Sequence, residues 1–162
     1  MSSDQETSPR YWHTAAELPG EVFDALRKPE HAISPIAVVA TVNADGSPHT
    51  APFGSLRAVS PTLLRLICFR FHHTFTNISR DGRIMVSFMA PPNIAVSIRG
   101  TARVIKKQMQ TDENYAILEI QIQETKNDMV KTVVIESPLA ASPRYEYEGW
   151  FDTALNELEG MN

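Results

Sequence analysis

A strand-like segment that runs straight into a hairpin turn is the feature that most limits how this chain can fold. Residues 36–42, IAVVATV, are almost all apolar and rich in β-branched side chains, which favour a buried strand. The next four residues are NADG, and Asn43, Asp45 and Gly46 tolerate the positive φ that a tight turn requires. The following segment, SPHTAPFGSLRAV, is therefore predicted to return antiparallel to the first strand.

Four further segments have strand character and follow turn signals. They are LLRLICF, RIMVSFMA, SIRGTARVIKK and KTVVIES, at residues 63–69, 83–90, 97–107 and 131–137. Together with the hairpin they predict six strands, mostly joined as antiparallel hairpins. Such a set favours a closed or nearly closed small β-barrel, because closure removes the exposed edges that otherwise pair between molecules.

A short amphipathic helix is predicted ahead of the hairpin, and a final helix is predicted at residues 147–158. In PGEVFDALRKPE, residues 19–30, the side chains of Val22, Phe23 and Leu26 share one helical face. The prolines that follow stop this helix. The predicted fold class is therefore mainly β, with flanking helices.

The segment from Met109 to Asp128 fits two structures. The spacing of Tyr115, Leu118 and Ile122 favours a helix, which is the prediction made here. The alternation in ILEIQIQ also fits a strand, and the pattern alone leaves that alternative open.

The length of the chain favours one domain over residues 1–162, with residues 1–18 as a flexible polar segment. Several predicted strands are apolar on both faces, which implies a second packing surface. A chain of this size has little material of its own to supply that surface, so a homodimer is expected.

Charge and composition exclude some classes of partner. The net charge is −4 and the pI is about 5.7, so no basic field exists for a nucleic-acid backbone. No apolar segment approaches the roughly 20 residues needed to cross a membrane, and a cytoplasmic protein is expected. The single cysteine, Cys68, lies in an apolar run and is predicted to be a buried hydrophobe.

Common catalytic and metal-binding patterns are missing. The sequence contains no GxGxxG, GxxxxGK[ST], HExxH or GxSxG motif, and no catalytic residue is assigned. No metal site is expected, because the histidines are dispersed and have one cysteine among them. Their positions are 13, 31, 49, 72 and 73.

The polar stretch HHTFTN follows the third predicted strand. A short helix is predicted over residues 75–81, with Thr74 as its N-cap and Gly82 at its end. The free N–H groups at its start favour an anion such as phosphate, and His72, His73, Thr74, Thr76 and Asn77 supply donors around it. The alternative is a helix that caps itself while both histidines face solvent.

Four motifs, in order, resemble the FMN-binding split barrel, the fold of pyridoxamine 5'-phosphate oxidase-like and flavin reductase-like proteins. They are AVVATVNADGSPHTAPFGSL, LICF, HHTFTNISRDGRIMVSF and IRGTARVI, within residues 20–105. The pattern HxTxxNI is similar to the KxTxxNI pattern of the flavin reductase branch. The order and spacing of these motifs, more than any single one, carry the resemblance.

The resemblance implies a homodimer that holds FMN at its interface. It implies that the backbone of the second strand lies along the isoalloxazine and that the turn after the third strand binds the phosphate. Thr74 and Asn77 match the phosphate contacts. The flavin-edge segment is matched by Ala51, Pro52, Phe53, Gly54 and Ser55.

The chain also departs from the family pattern. Where the oxidase branch usually has a Ser-Arg-Lys clamp, this sequence has His72, His73 and Thr74, so two fixed positive charges are lost. FMN binding is therefore expected to be weaker or pH dependent. Arg70 either restores one charge or is a solvated residue at the end of a strand. No match to the pyridoxal-phosphate residues is found near the C-terminus, which disfavours vitamin B6 oxidation.

Two functions follow as hypotheses. The first is an FMN-dependent oxidoreductase that takes hydride or electrons from a reduced nicotinamide or deazaflavin and passes them to a small-molecule acceptor. The second is a non-catalytic protein that stores or senses flavin or haem on the same barrel. In the haem case, His49, His72 or His73 is the candidate axial ligand.

Overall fold

The computed structural model describes residues 14–161. This part of the chain is mainly β, with one antiparallel sheet and three flanking α-helices. The strands are β1 (Thr14–Ala15), β2 (Ala37–Val42), β3 (Pro48–Phe53), β4 (Arg57–Ser60), β5 (Leu63–Phe69), β6 (Arg83–Ala90), β7 (Ile94–Lys106) and β8 (Tyr115–Asn127). The helices are α1 (Gly20–Arg27), α2 (His73–Arg80) and α3 (Glu148–Glu159). The order in the sheet is β3-β2-β6-β7-β8-β5-β4, and β1 pairs with β8.

The predicted hairpin is confirmed. Strands β2 and β3 pair antiparallel from Ala37 opposite Phe53 to Val42 opposite Pro48. Gly46 has a φ of 85°, which is the left-handed conformation that glycine adopts without a steric penalty. The Asp45 carboxylate stabilises the turn by accepting a hydrogen bond of 2.9 Å from the backbone N–H of Ser47.

The predicted return strand is divided in two. It pairs with β2 as far as Phe53, is interrupted at residues 54–56, and continues as β4 on β5 at the other end of the sheet. Within residues 14–161, no ladder joins β3 to β4, so the path of paired strands is open. The predicted count of six strands was therefore wrong, since the described residues form eight.

The predicted helix at residues 109–128 was also wrong, because this segment contains the long strand β8. Leu118, Ile120 and Ile122 point into the main core of the sheet. Ile117 lies on the opposite face in a second cluster with Leu155 and other residues of α3. Pairing of β8 with β5 on one side and β7 on the other outweighs the local helical spacing.

Two further segments differ from expectation, one after β8 and one at the N-terminus. The segment KTVVIES forms no strand, and residues 128–144 cross the molecule without regular structure. Its backbone contacts are isolated, such as the 2.9 Å bond from the Ile135 N–H to the Pro92 carbonyl. Of the N-terminal segment predicted to be flexible, residues 1–13 lie outside the described part. Residues 14–15 instead pair with β8, and Leu18 is buried.

The two flanking helices and the buried cysteine agree with the predictions. Helix α1 buries Val22 and Leu26 completely, and it ends at Lys28, which has a φ of 45°. Helix α3 covers the outer face of β5 and β8. Cys68 is fully buried in the main core.

Candidate functional site

The stretch HHTFTN, residues 72–77, contains the N-cap and the first residues of α2. Two turn residues, Arg70 and Phe71, separate it from the end of β5. His72 is the N-cap, and its Nδ1 accepts a 3.1 Å hydrogen bond from the backbone N–H of Thr74. The predicted cap at Thr74 was thus two residues too late. The helix also ends before its predicted limit, because Asp81 is extended with a φ of −140°. An imidazole nitrogen without a proton accepts a hydrogen bond as a cap oxygen does, which explains the earlier start.

Thr74 holds the least satisfied polar group of this turn. Its side chain is fully buried, and its Oγ1 has no hydrogen-bond partner in the described part of the protein. Buried hydroxyl groups nearly always have a partner in folded proteins. An unpartnered hydroxyl at the first turn of a helix is therefore an observation that points to a ligand.

Asn77 has a different role from the one its spacing suggests. Its Nδ2 donates 3.0 Å hydrogen bonds to Thr41 Oγ1 and to Asn43 Oδ1, both in or next to the hairpin. Its Oδ1 accepts a 3.3 Å bond from Arg80. Both hydrogens of the Asn77 amide are therefore used to hold α2 against the hairpin.

Three imidazoles meet where α2 begins. The ring centroid of His49, on β3, lies 5.7 Å from that of His72 and 5.4 Å from that of His73. Phe53 contacts the His72 ring edge-on at 6.1 Å, so His72 lies against two residues of the same strand. His49 Nε2 is buried and has no partner among residues 14–161. His49 was predicted only as a haem ligand, because no local pattern connects it with a turn more than twenty residues later.

The electrostatics of this histidine cluster, His49, His72 and His73, are those of mutual repulsion. Burial, and then repulsion from His49 and His73, lowers the pKa of His72 below its ordinary value. No ion pair joins any of the three imidazoles to a carboxylate within the described residues. The neutral His72 ring can donate or accept a hydrogen bond, and an anion in contact with it would favour its protonated form.

A cavity of about 440 Å³ is lined by residues of α2 and of the hairpin turn. His73 and Thr76 line it, together with Arg80 and Asp45. The guanidinium of Arg80 is already bonded to the Val42 carbonyl and to Asn77. Because Arg80 and Asp45 carry opposite charges, this cavity has little net attraction for an anion compared with the helix start.

The predicted flavin-edge segment lies at the end of the sheet. Ala51 is buried, Pro52 is exposed, and Phe53 is half-buried against the core. Ser55 is bonded to β5 in both directions, since its Oγ donates to the Ile67 carbonyl at 3.1 Å and accepts from the Ile67 N–H at 3.0 Å. The structure therefore brings the His72 end of α2 next to Phe53, whereas the Ser55 hydroxyl is engaged inside the sheet.

Two buried basic side chains fix Gly54 at the centre of that segment. The Gly54 carbonyl accepts hydrogen bonds from Lys28 Nζ at 3.2 Å and from Arg57 Nη1 at 3.0 Å. Lys28 also donates to the carbonyls of Ile33, at 3.3 Å, and Pro35, at 2.6 Å. A Cβ on Gly54 would lie 2.8 Å from Ile33 Cβ, so only glycine permits this approach. Sequence reasoning missed this arrangement, because its carbonyl groups meet only in the fold.

Arg70 is not brought to the histidine cluster by any contact of the described residues. Its Nη1 donates to the Glu113 carbonyl at 3.0 Å, and its guanidinium lies 6.0 Å from the centroid of the Phe71 ring. Its predicted role as a replacement charge at the phosphate remains a prediction. No group of three or more His, Cys, Asp or Glu side chains in residues 14–161 has the geometry of a metal site.

Comparison with known families decides which family the chain represents. Residues 26–137, more than half of the chain, match the sequence model of the pyridoxamine 5'-phosphate oxidase family. The chain belongs to this family. A search of the curated proteins found no match.

Three solved structures share the fold of this chain. A candidate pyridoxamine 5'-phosphate oxidase from Lactobacillus delbrueckii has a TM-score of 0.56 at 21% identity, covering 68% of this chain and 94% of its own. An F420 reductase has a TM-score of 0.53 at 16% identity, covering 67% and 98%. An FMN-binding protein from Syntrophomonas wolfei has a TM-score of 0.51 at 9% identity, covering 68% and 89%. At these identities the likeness establishes the fold alone.

Within residues 14–161, no helix combines the length and the apolar character needed to span a bilayer.

The buried Lys28 side chain is expected to make the free energy of unfolding depend on pH. Burial, followed by repulsion from Arg57, lowers the pKa of Lys28 from 10.5 to about 7. Between those values the unfolded chain binds a proton that the folded protein does not, so the free energy of unfolding rises with pH. The rise is at most about 1.4 kcal/mol per pH unit. Urea denaturation between about pH 7 and pH 8.5 is expected to show this slope in the wild type and to lose it in Lys28→Met.

The matched control is Arg27→Met, which removes an exposed cation next to Lys28. This variant is expected to keep the wild-type slope. Equal slopes in the wild type and Lys28→Met would show that Lys28 keeps its proton in the folded protein throughout this pH range.

Proposed function

We propose that this protein binds FMN, with the phosphate at the start of α2 and the flavin ring along β3. We further propose that it is an oxidoreductase, with a reduced nicotinamide or deazaflavin as donor and a small-molecule acceptor. The observation that carries the proposal is the buried, unpartnered Oγ1 of Thr74 at the first turn of α2. It lies in the part of the chain where the sequence resemblance put the phosphate.

Three other observations support FMN as the ligand. The chain belongs to the pyridoxamine 5'-phosphate oxidase family, and its fold is shared with an FMN-binding protein and an F420 reductase. The start of α2 provides backbone N–H groups and a partial positive charge, which suit a phosphate. The half-buried Phe53 next to His72 continues the site from the helix toward the flavin-edge strand.

The residues of this chain would bind and orient the cofactor. Thr74 and the histidine cluster would hold the phosphate, and Asn77 would keep α2 in place through its bonds to Thr41 and Asn43. Lys28 and Arg57 would hold the Gly54 peptide in position beside the ring. FMN, when bound, supplies the hydride- and electron-transfer chemistry, and no side chain is assigned as an acid or a base.

A homodimer in the cytoplasm is part of the same proposal. Large exposed apolar side chains occur on β6 and in the irregular segment after β8, namely Met85, Met89, Val130, Val133, Val134 and Leu139. Burying these side chains against a second copy would supply the second packing surface that was predicted from the strands with two apolar faces. Light scattering should give twice the mass of one chain, and a monomer that binds FMN would contradict this part.

The phosphate site is tested by replacing Thr74 with valine, which keeps the shape of the side chain and removes its hydroxyl. Losing one hydrogen bond to a charged phosphate costs about 1.5 to 3 kcal/mol, or roughly ten- to a hundredfold in affinity. Isothermal titration should show this loss for FMN and none for riboflavin, which has no phosphate. Because Oγ1 has no partner in the free protein, stability to urea should not fall.

Thr74→Ser is the matched control, since it keeps the hydroxyl group and should retain most of the FMN affinity. An equal FMN affinity in the wild type and Thr74→Val would remove Thr74 from the site. An equal loss for FMN and riboflavin would indicate a general packing effect on the flavin pocket.

The alternative function, storage or sensing without turnover, is separated by reduction of the loaded protein. Anaerobic addition of a reduced nicotinamide or deazaflavin should bleach the yellow absorbance, and air should restore it. Bleaching by dithionite but by none of these donors would favour the alternative.

A further inference from the structure

We propose that His72 couples phosphate binding at the start of α2 to the uptake of a proton, and that His49 is a further phosphate-binding residue. The neutral His72 ring closes the helix start, and the protonated ring opens it and pairs with the anion. This inference rests on the proposed function and adds to it a control of ligand affinity by pH.

The hydrogen bond at the cap requires a neutral ring. Nδ1 of His72 accepts from the Thr74 N–H at 3.1 Å, and a nitrogen accepts a hydrogen bond only when it carries no proton. Protonation of Nδ1 therefore breaks this bond and releases the Thr74 N–H. The same event turns both ring nitrogens into donors beside a helix terminus that carries a partial positive charge.

In the free protein, the surroundings of His72 oppose that protonation. His49 lies at 5.7 Å and His73 at 6.5 Å between ring centroids, and a positive charge on any of the three repels the others. Burial acts in the same direction, and the pKa of His72 is lowered. A phosphate dianion among the three rings would reverse the balance, because it stabilises each positive charge that it contacts.

The other titratable and charged groups around α2 do not stabilise a proton on His72 as a bound anion would. Asp45 shares a cavity with His73, but its carboxylate accepts hydrogen bonds from the N–H and hydroxyl of Ser47. Arg80, at the other end of α2, is bonded to the Val42 carbonyl. The Asp45 side chain forms no ion pair with a histidine within the described residues.

Cys68 on β5 and Arg70 after it also provide no negative charge for His72. Burial raises the pKa of the Cys68 thiol to about 12, so it is neutral at physiological pH. The guanidinium of Arg70 bonds to the Glu113 carbonyl. Neither group supplies a negative charge that would hold a proton on His72 in the free protein.

His49 is assigned to the site by a separate observation. Its Nε2 is buried without a hydrogen-bond partner in the described part of the chain, as is the Thr74 Oγ1. Two unpartnered polar atoms thus come from β3 and from the first turn of α2, with the His72 ring next to both residues. Both atoms are closed off from solvent while the His72 ring caps the helix, and an oxyanion admitted when that ring moves would satisfy them, with His49 as a donor to it.

The direction of the pH dependence follows from these shifts. In the free protein the pKa of His72 is lowered by burial and by repulsion from His49 and His73, and the bound anion raises it. Between the two values binding takes up a proton, so FMN affinity increases as the pH falls. Uptake of one proton gives about a tenfold change in affinity per pH unit.

The experiment is isothermal titration with FMN and with riboflavin between about pH 6.5 and pH 8, in two buffers with different ionisation enthalpies. The wild type should take up more protons per FMN than His72→Asn does, and none per riboflavin. His72→Asn should bind FMN with little pH dependence, since asparagine caps a helix without titrating. Comparing variants with the same ligand cancels the titration of the FMN phosphate itself.

Two more variants complete the test. His49→Gln should weaken FMN binding without affecting riboflavin and should reduce the proton uptake. His31→Asn is the control, because that histidine contacts Asp152 and Glu159 instead of the cluster, and it should leave the pH dependence unchanged. If His72→Asn does not fold, the wild-type proton uptake and the His49→Gln comparison decide the result.

The outcomes separate this inference from the proposed function. FMN binding that exceeds riboflavin binding but takes up no proton would overturn the role of His72 and leave the phosphate site standing. Equal binding of the two flavins at every pH would overturn the phosphate site itself.

Discussion

The Asn77 amide is the interaction on which the geometry of the candidate site depends. Its two donated hydrogen bonds, to Thr41 on β2 and Asn43 in the hairpin turn, hold α2 against a part of the chain more than thirty residues away. Since β3 is the other half of that hairpin, the same bonds determine where His72 lies relative to His49. The bond from Arg80 to the Val42 carbonyl adds to this link between α2 and the hairpin.

The site replaces permanent charge with groups that titrate. A clamp of arginine and lysine attracts phosphate at any physiological pH, whereas the cluster of His49, His72 and His73 is charged only after it binds protons. The buried basic side chains of Lys28 and Arg57 are used elsewhere, on backbone carbonyl groups. They fix the position of the Gly54 peptide. The basic groups that shape the site are therefore different from the groups that would bind the ligand.

Local chemistry made the hairpin, the flanking helices and the polar helix start predictable. The NADG turn and the apolar face of α1 are short-range signals, and the structure confirms both. Strand β8 was mistaken for a helix because Ile117 and Leu118 are both buried, on opposite faces, against α3 and the main core. The alternation in ILEIQIQ left a strand open as the alternative, and pairing with β5 and β7 decides between the two. The contacts of His49 with α2 and of Lys28 with Gly54 were missed because the partners are distant in sequence.

The most direct test of this account is a crystal structure of the protein with FMN. The account predicts the phosphate at the start of α2, with an oxygen about 3 Å from the Thr74 N–H nitrogen and Oγ1 and from His49 Nε2. It also predicts that His72 Nδ1 no longer accepts the Thr74 hydrogen bond. A phosphate bound elsewhere, with the His72 cap intact, would contradict the central claim.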